Sequence, residues 1–152
     1  MLDEIDVKIL DMLQKNARAT ASEIGSHVGM SVSAVSERIK KLETSGIISK
    51  YTAIIDREKA HKDVIAFSTV MLDHPKYNDG FVAFAENCHD ILEVHYMAGD
   101  ADYMIKIVTD SMATLEQVLR NIKCVPGVTR TNSTLVLSSV KNEFSVKPES
   151  SC

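Results

Sequence analysis

The chain has 152 residues, 45% of them hydrophobic and 25% charged, with a formal net charge of −4. That is the make-up of an ordinary soluble globular protein of one domain or two small ones. No apolar run approaches the roughly 18 residues a membrane helix needs. The acidic start, Met1-Leu2-Asp3-Glu4, is unlike a secretory signal, so a cytoplasmic protein without a membrane partner is expected. Three cysteines (Cys88, Cys124 and Cys152) with no CxxC pair argue against a disulfide framework and a thiolate zinc site. Cys88 and Cys124 are expected to be small buried apolar residues.

The charge is unevenly spread. Residues 1–60 hold nine Lys/Arg and nine Asp/Glu, whereas residues 61–152 hold eight and twelve. The first part is neutral overall and the acidity lies in the second. Arg38, Lys40, Lys41 and Lys50 cluster late in the neutral part, and this local distribution sets the potential a phosphate feels.

Residues 3–15 read as an amphipathic helix, with Ile5, Ile9 and Leu13 every four residues and Leu10 and Met12 widening the stripe. Thr20-Ala21-Ser22-Glu23 is a capping box that starts a second helix, turned inward at Ala21, Ile24 and Val28. Gly29 suits a left-handed helix end, and Ser31 then caps a third helix. On that helix Val35, Ile39 and Leu42 share one face. The opposite face carries Ser33, Glu37, Lys40 and Lys41, flanked by Ala34 and Ser36. It is short and polar near its start, which suits a recognition helix whose first residues approach base edges while later cations meet phosphates. On charge alone, a solvated face of an ordinary bundle helix is the better reading. The tight helix pair and the strand expected at Gly46-Ile47-Ile48 favour a winged helix-turn-helix spanning residues 1–50.

Residues 51–63 read as a connector. Beyond it, Val64 to Leu72 is β-rich and Pro75 breaks the pattern. Asn78 or Asp79 is expected to cap a helix carrying Phe81, Phe84, Ala85 and Cys88. Leu92, Val94, Tyr96 and Ala98 alternate as a half-buried strand does. Gly99-Asp100-Ala101-Asp102 turns the chain into a strand over Tyr103 to Val108. Met112, Leu115, Val118, Leu119 and Ile122 mark another helix, and Pro126-Gly127 leads into a last strand over Val128 to Val140. The order β-α-β-β-α-β predicts an α+β, ferredoxin-like domain over residues 64–140. Right-handed crossovers place both its helices on one sheet face. The other face then calls for a partner, most simply a second copy. Residues 141–152, with Pro148 and several serines, read as a loose tail.

The ordered motifs Asp6-x-Lys8-Ile9-Leu10, Asn16-Ala17-Arg18, Ser31-x-Ser33-x-Val35-x-x-Arg38-Ile39-x-x-Leu42-Glu43-x-x-Gly46-Ile47-Ile48 and Tyr51-x-Ala53 make the chain resemble the Lrp/AsnC (feast/famine) family of transcriptional regulators. So do Gly99-Asp100-x-Asp102-Tyr103 and Pro126-Gly127-Val128-x-x-Thr131. The resemblance covers roughly residues 2–140, in order across both domains. It implies a regulator that binds double-stranded DNA, a homodimer assembling further to an octamer, and a C-terminal domain that senses a small amino acid. The DNA-binding residues it implies, with the reading of the third helix, are Ser31, Ser33, Ala34, Ser36, Glu37, Arg38, Lys40 and Lys41. It places an effector site between subunits at Gly99, Asp100, Ala101, Asp102, Tyr103, Thr131 and Ser133. There Asp100 or Asp102 can accept an ammonium, while turn amides and the hydroxyls of Thr131 or Ser133 can donate to a carboxylate.

By spacing alone the Gly-Asp-x-Asp stretch reads better as an ordinary hairpin turn with solvated carboxylates, and the resemblance brings the two readings near parity. Two positions depart from the family pattern: Ala101 stands where an aromatic residue is frequent, and Ser133 where threonine is common. A smaller residue 101 enlarges the pocket, weakens ligand holding or abolishes a response. Two rival functions stay open: an architectural or global DNA-binding regulator without an effector, and an enzyme related to haem-biosynthesis decarboxylases, which look similar in architecture. Neither a Gly-rich phosphate loop nor a GxSxG elbow occurs. His27, His61, His74, His89 and His95 are scattered, so no metal, no cofactor and no catalytic residue is expected.

Overall fold

The computed structural model describes residues 2–150. It divides into two compact units, residues 2–54 with 141–150, and residues 55–140.

The first unit contains three helices, α1 (Glu4–Lys15), α2 (Ala21–Val28) and α3 (Val32–Thr44). Each starts at a polar residue whose side chain accepts from a backbone amide of the first turn. Asp3 and Asp6 form one capping box and Thr20 and Glu23 another, and Ser31 caps α3. Such caps satisfy amides that a helix cannot satisfy itself. The buried core is small: Ile9, Leu10, Leu13, Ile24, Val35 and Leu42.

The strand expected after α3 does not form among the described residues, so no wing is present: the first strand begins at Val64. Gly46 sits in the left-handed region at φ 75°. The Ile48 amide there donates to the Leu42 carbonyl over 3.1 Å, which closes the helix end rather than opening a strand. A strand needs a neighbour to take its ladder hydrogen bonds, and Ile47 and Ile48 have none among the described residues. Residues 141–152, expected to be loose, include two acceptors for the α1 residue Gln14. Its Nε2 donates to Ser145 Oγ over 2.9 Å and to the Val146 carbonyl over 2.8 Å. Phe144 shares a groove with Leu10, Leu13, Ile47 and Tyr51.

The second unit is an antiparallel sheet of β1 (Val64–Leu72), β2 (Ile91–Tyr96), β3 (Tyr103–Thr109) and β4 (Val128–Leu135), in the order β2-β3-β1-β4. With α4 (Asn78–Glu86) and α5 (Met112–Lys123) this is the ferredoxin-like arrangement. Ala66, Val70, Ile105 and Ile107 meet Phe81, Leu115, Val118 and Ile122 in its core. On β1 the alternate residues Phe67 and Thr69 turn to the other face, where Phe67 stays 38% exposed.

Local details differ from the sequence reading. A 3-10 turn at Pro75–Tyr77 precedes α4, so Asn78 opens the helix instead of capping it, and Tyr77 at the cap makes no side-chain bond. On β2 the register shifts between Ile91 and Glu93, which buries Ile91 and leaves Leu92 and Tyr96 exposed. The bulge inserts a residue, so simple alternation fails there. The last strand ends at Leu135, five residues short of the expected Val140. Cys124 is exposed at the end of α5, and Cys88 is half-buried against the core.

Candidate nucleic-acid interface and effector loop

The helix-turn-helix geometry depends on two glycines. Gly29 ends α2 at φ 73°, a conformation open to glycine at little cost. Gly25, inside α2, is buried, and a Cβ there would stand 2.6 Å from the Met30 carbonyl oxygen. The Met30 amide donates to the Gly25 carbonyl over 2.9 Å, so the turn folds tightly over this helix residue. The sequence reading passed over Gly25, although a glycine within an apolar helical pattern is a signal that something packs closely there.

The turn presents α3 with Ser33, Ser36, Glu37, Lys40 and Lys41 exposed on one surface. Ser31 is exposed but occupied: its Oγ accepts from the Ala34 amide at 3.3 Å and lies 3.1 Å from Ser33 Oγ. Ala34 is half-buried. No acidic residue lies in the first turn of α3, so the positive end of the helix dipole is not neutralised from within, as suits an approaching phosphate. Val32, which sequence reasoning passed over, stands 52% exposed in this first turn.

Arg38 has a different position from its neighbours. Its Nη1 donates to Asp3 Oδ2 at 2.6 Å and Asp6 Oδ1 at 2.7 Å, and the guanidinium is only 29% exposed. The pair raises the guanidinium further above its ordinary value, Asp3 contributing more than Asp6. Asp3 in turn is held below the usual carboxylate range, first by the Asp6 amide and then by Arg38. Hydrogen bonds from the Thr20 amide and hydroxyl do the same for Glu23. Arg38 therefore fastens α3 to the start of α1, while Lys40 and Lys41 face solvent. At the other end of α3, the Tyr51 hydroxyl donates to Glu43 Oε1 over 2.9 Å. Burial, with Glu43 adding to it, pushes this phenol up to about 12.

In the second unit the loop Gly99–Asp102 is tied to β1. The Asp102 amide donates to the Val70 carbonyl over 3.1 Å, and Asp102 Oδ2 accepts the Leu72 amide at 2.7 Å. This carboxylate is engaged, leaving Asp100, which is exposed, as the freer acid. Ala101 is half-buried beside it. Tyr103 turns inward, 5% exposed, against Phe81 at 4.8 Å between ring centroids. Thr131 and Ser133 lie on β4, across β1 from Tyr103. Val70 pairs with both Tyr103 and Thr131, and Ser68 pairs with Ser133. That places them two strand spacings away, roughly 10 Å. Ser133 Oγ lies 2.9 Å from Ser68 Oγ. One chain thus gathers Gly99, Asp100, Ala101 and Asp102 but not the β4 hydroxyls. Among the described residues no group of three His, Cys, Asp or Glu side chains is placed to hold a metal ion. No helix there is long and apolar enough to cross a membrane.

Comparison with known proteins matches residues 2–43 to an AsnC-type helix-turn-helix domain and residues 65–146 to an Lrp/AsnC ligand binding domain. The transcriptional regulator FL11 of Pyrococcus horikoshii is 39% identical over 140 residues, 92% of each chain. The leucine-responsive regulatory protein of Salmonella typhimurium is 32% identical over 92% of this chain and 87% of its own. Among solved structures, a transcriptional regulator of Neisseria meningitidis in complex with L-Met superposes with a TM-score of 0.91 at 29% identity, over 96% of both chains. AsnC of E. coli gives a TM-score of 0.91 at 26% identity, over 97% of this chain and 99% of its own.

Proposed function

Because the chain belongs to the Lrp/AsnC family of transcriptional regulators, we propose that α3 enters the DNA major groove with Ser33 and Ser36 toward the bases. Lys40 and Lys41 then meet phosphates, and a small amino acid bound at the Gly99–Asp102 loop shifts the DNA affinity. The observation that carries the DNA reading is the exposed, cation-edged face of α3 with an acid-free first turn. The family is one of regulators rather than enzymes, and the chain carries both of its domains in order.

For the effector, Asp100 offers an acceptor for the ammonium, and Thr131 or Ser133 of a second copy supplies the hydroxyls that one chain keeps about 10 Å away. This reading makes the site interfacial, so ligand occupancy biases assembly. The bare sheet face with Phe67 exposed is the surface for a dimer, and the dimer is the unit from which an octamer is built.

The test is a fluorescence-anisotropy titration on the DNA upstream of the protein's own gene, against scrambled competitor, with and without pooled amino acids. Specific binding that shifts with amino acids supports the whole reading. Specific binding that does not shift supports a global regulator without an effector and points to Ala101. Absence of specific binding to that fragment and to a random-sequence pool overturns the α3 assignment.

A further inference from the structure

We infer that the hollow between α4 and the end of the β2–β3 hairpin binds a small organic amine that carries no carboxylate. Tyr96 and Tyr103 form one wall of it, and Asn78, Asp79 and Glu86 line the other, with Val82 between them. It holds about 540 Å³, within the range of small-molecule sites.

The first argument is Tyr103 itself. The residue is only 5% exposed, and its hydroxyl makes no hydrogen bond to any described residue. Buried tyrosine hydroxyls usually find a partner. Packing against Phe81 uses the ring alone, and phenylalanine would serve it as well. Yet among the described residues no sealed side-chain polar atom is left without a partner, so the Tyr103 oxygen opens toward the hollow it lines. That oxygen is an unused acceptor.

The charge of the site is the second argument. Asp79 and Glu86 lie seven residues apart on one face of α4, both exposed, and neither forms an ion pair among the described residues. No Lys, Arg or His lines the hollow; nearby Lys76 lies over the Tyr77 ring, 4.9 Å from its centroid. Burial raises the Tyr103 phenol, with Tyr96, Asp102 and Asp79 adding to it in that order, so the charge of Asp79 is felt at this hydroxyl.

The Tyr96 and Tyr103 rings stand 5.3 Å apart between centroids, tilted by 59°. Aromatic faces beside carboxylates attract a cation electrostatically from two kinds of group at once. An α-amino acid would bring its own carboxylate against Asp79 and Glu86, so this ligand class differs from the effector proposed above, and the inference does not rest on that reading. The rise between Asp79 and Glu86, roughly 10 Å along the helix, suits an ammonium at each end of a short alkyl chain lying over Val82.

Isothermal titration of putrescine into the full-length protein at fixed ionic strength tests this, with butylamine, γ-aminobutyrate and potassium chloride as comparisons. Putrescine should bind saturably. γ-Aminobutyrate, which replaces one ammonium end by a carboxylate, should bind at least about tenfold more weakly. The double variant Asp79→Asn/Glu86→Gln, at two exposed positions, should lose about tenfold or more. Tyr103→Phe should weaken binding several-fold with an unchanged thermal midpoint, and Glu116→Gln on α5 should change nothing. The inference is overturned by no saturable heat with putrescine, by equal binding of γ-aminobutyrate, or by undiminished binding to the double variant. DNA-binding and amino-acid response are read separately, so a failure here leaves the regulatory reading standing.

Discussion

The two units hold themselves together by different means. In the sheet unit, strands at positions distant in sequence bring a dozen buried residues into one core around Phe81, Ile105 and Ile107. The helical unit has six buried residues, and it is stitched along its surface by two capping boxes, a capping serine and the Arg38 clamp. A small core contributes less, so polar fastening matters more where a face must stay free to meet another molecule. The sheet unit can afford open polar edges because its interior fixes the fold.

This contrast can be broken by mutation. Phe81→Ala, which empties the centre of the larger core, should cost about 3–5 kcal/mol in denaturant unfolding. A cost below about 1 kcal/mol would mean that the core is not the main support of that unit. Next comes Gly25→Ala. Its methyl group meets the Met30 carbonyl, an atom fixed by the turn, so a loss of about 1–3 kcal/mol is expected, with weaker DNA binding in electrophoretic mobility shifts. Unchanged stability would show that the turn yields easily.

Arg38 and Lys40 sharpen the comparison within one helix. Arg38→Ala should cost roughly 1–2 kcal/mol by thermal unfolding, since it strands Asp3 and the half-buried Asp6. Lys40→Ala should leave stability unchanged, weaken binding to all DNA sequences alike and lower the salt slope by about 0.9. The opposite assignment of effects would exchange the two roles.

The smallest effect concerns pH. Asp3 and Glu23 titrate below the usual carboxylate range. Their stabilisation is therefore present above their unfolded values and is lost as pH falls through the lowered folded ones. Asp3→Asn with Glu23→Gln keeps capping atoms but removes the charge, so the fall of the thermal midpoint below about pH 4 should become shallower. In the sheet unit, Asp90 raises Lys62. That contribution is present below the unfolded lysine value and is lost as pH rises through the folded one, so Lys62→Met should lower the thermal midpoint slightly at neutral pH and make its alkaline fall shallower.

What could be read from the sequence follows the range of each interaction. Thr20-x-x-Glu23, Gly29 and Ser31 act within four residues, and these caps form as expected. The strand order followed from alternation and turn residues, because half-buried strands repeat every two positions. The missing wing is a non-local matter: Ile47 and Ile48 have strand-forming side chains but no strand to pair with among the described residues. Arg38 presents the same difficulty, since its partners Asp3 and Asp6 stand 35 and 32 residues away and a cation on a helix face looks alike whether it meets phosphate or carboxylate. The bulge on β2 leaves no mark in composition, and the turn before α4 was announced only by Pro75. At the loop, the sequence named Asp100 and Asp102 together; only the hydrogen bond to the Leu72 amide separates an anchored carboxylate from a free one.

The two bonds from Gln14 to Ser145 and Val146 also impose a timetable on synthesis. Their partners are 131 and 132 residues apart. At about 5–20 residues per second, the ribosome needs roughly 7–26 s after making Gln14 to deliver Ser145. During that interval the nascent three-helix segment has its own caps but not its last strand of chain, and Leu10, Leu13 and Tyr51 border an unfilled groove. A messenger cut short before codon 145 would yield helices that can all be capped, on a unit whose surface is never finished.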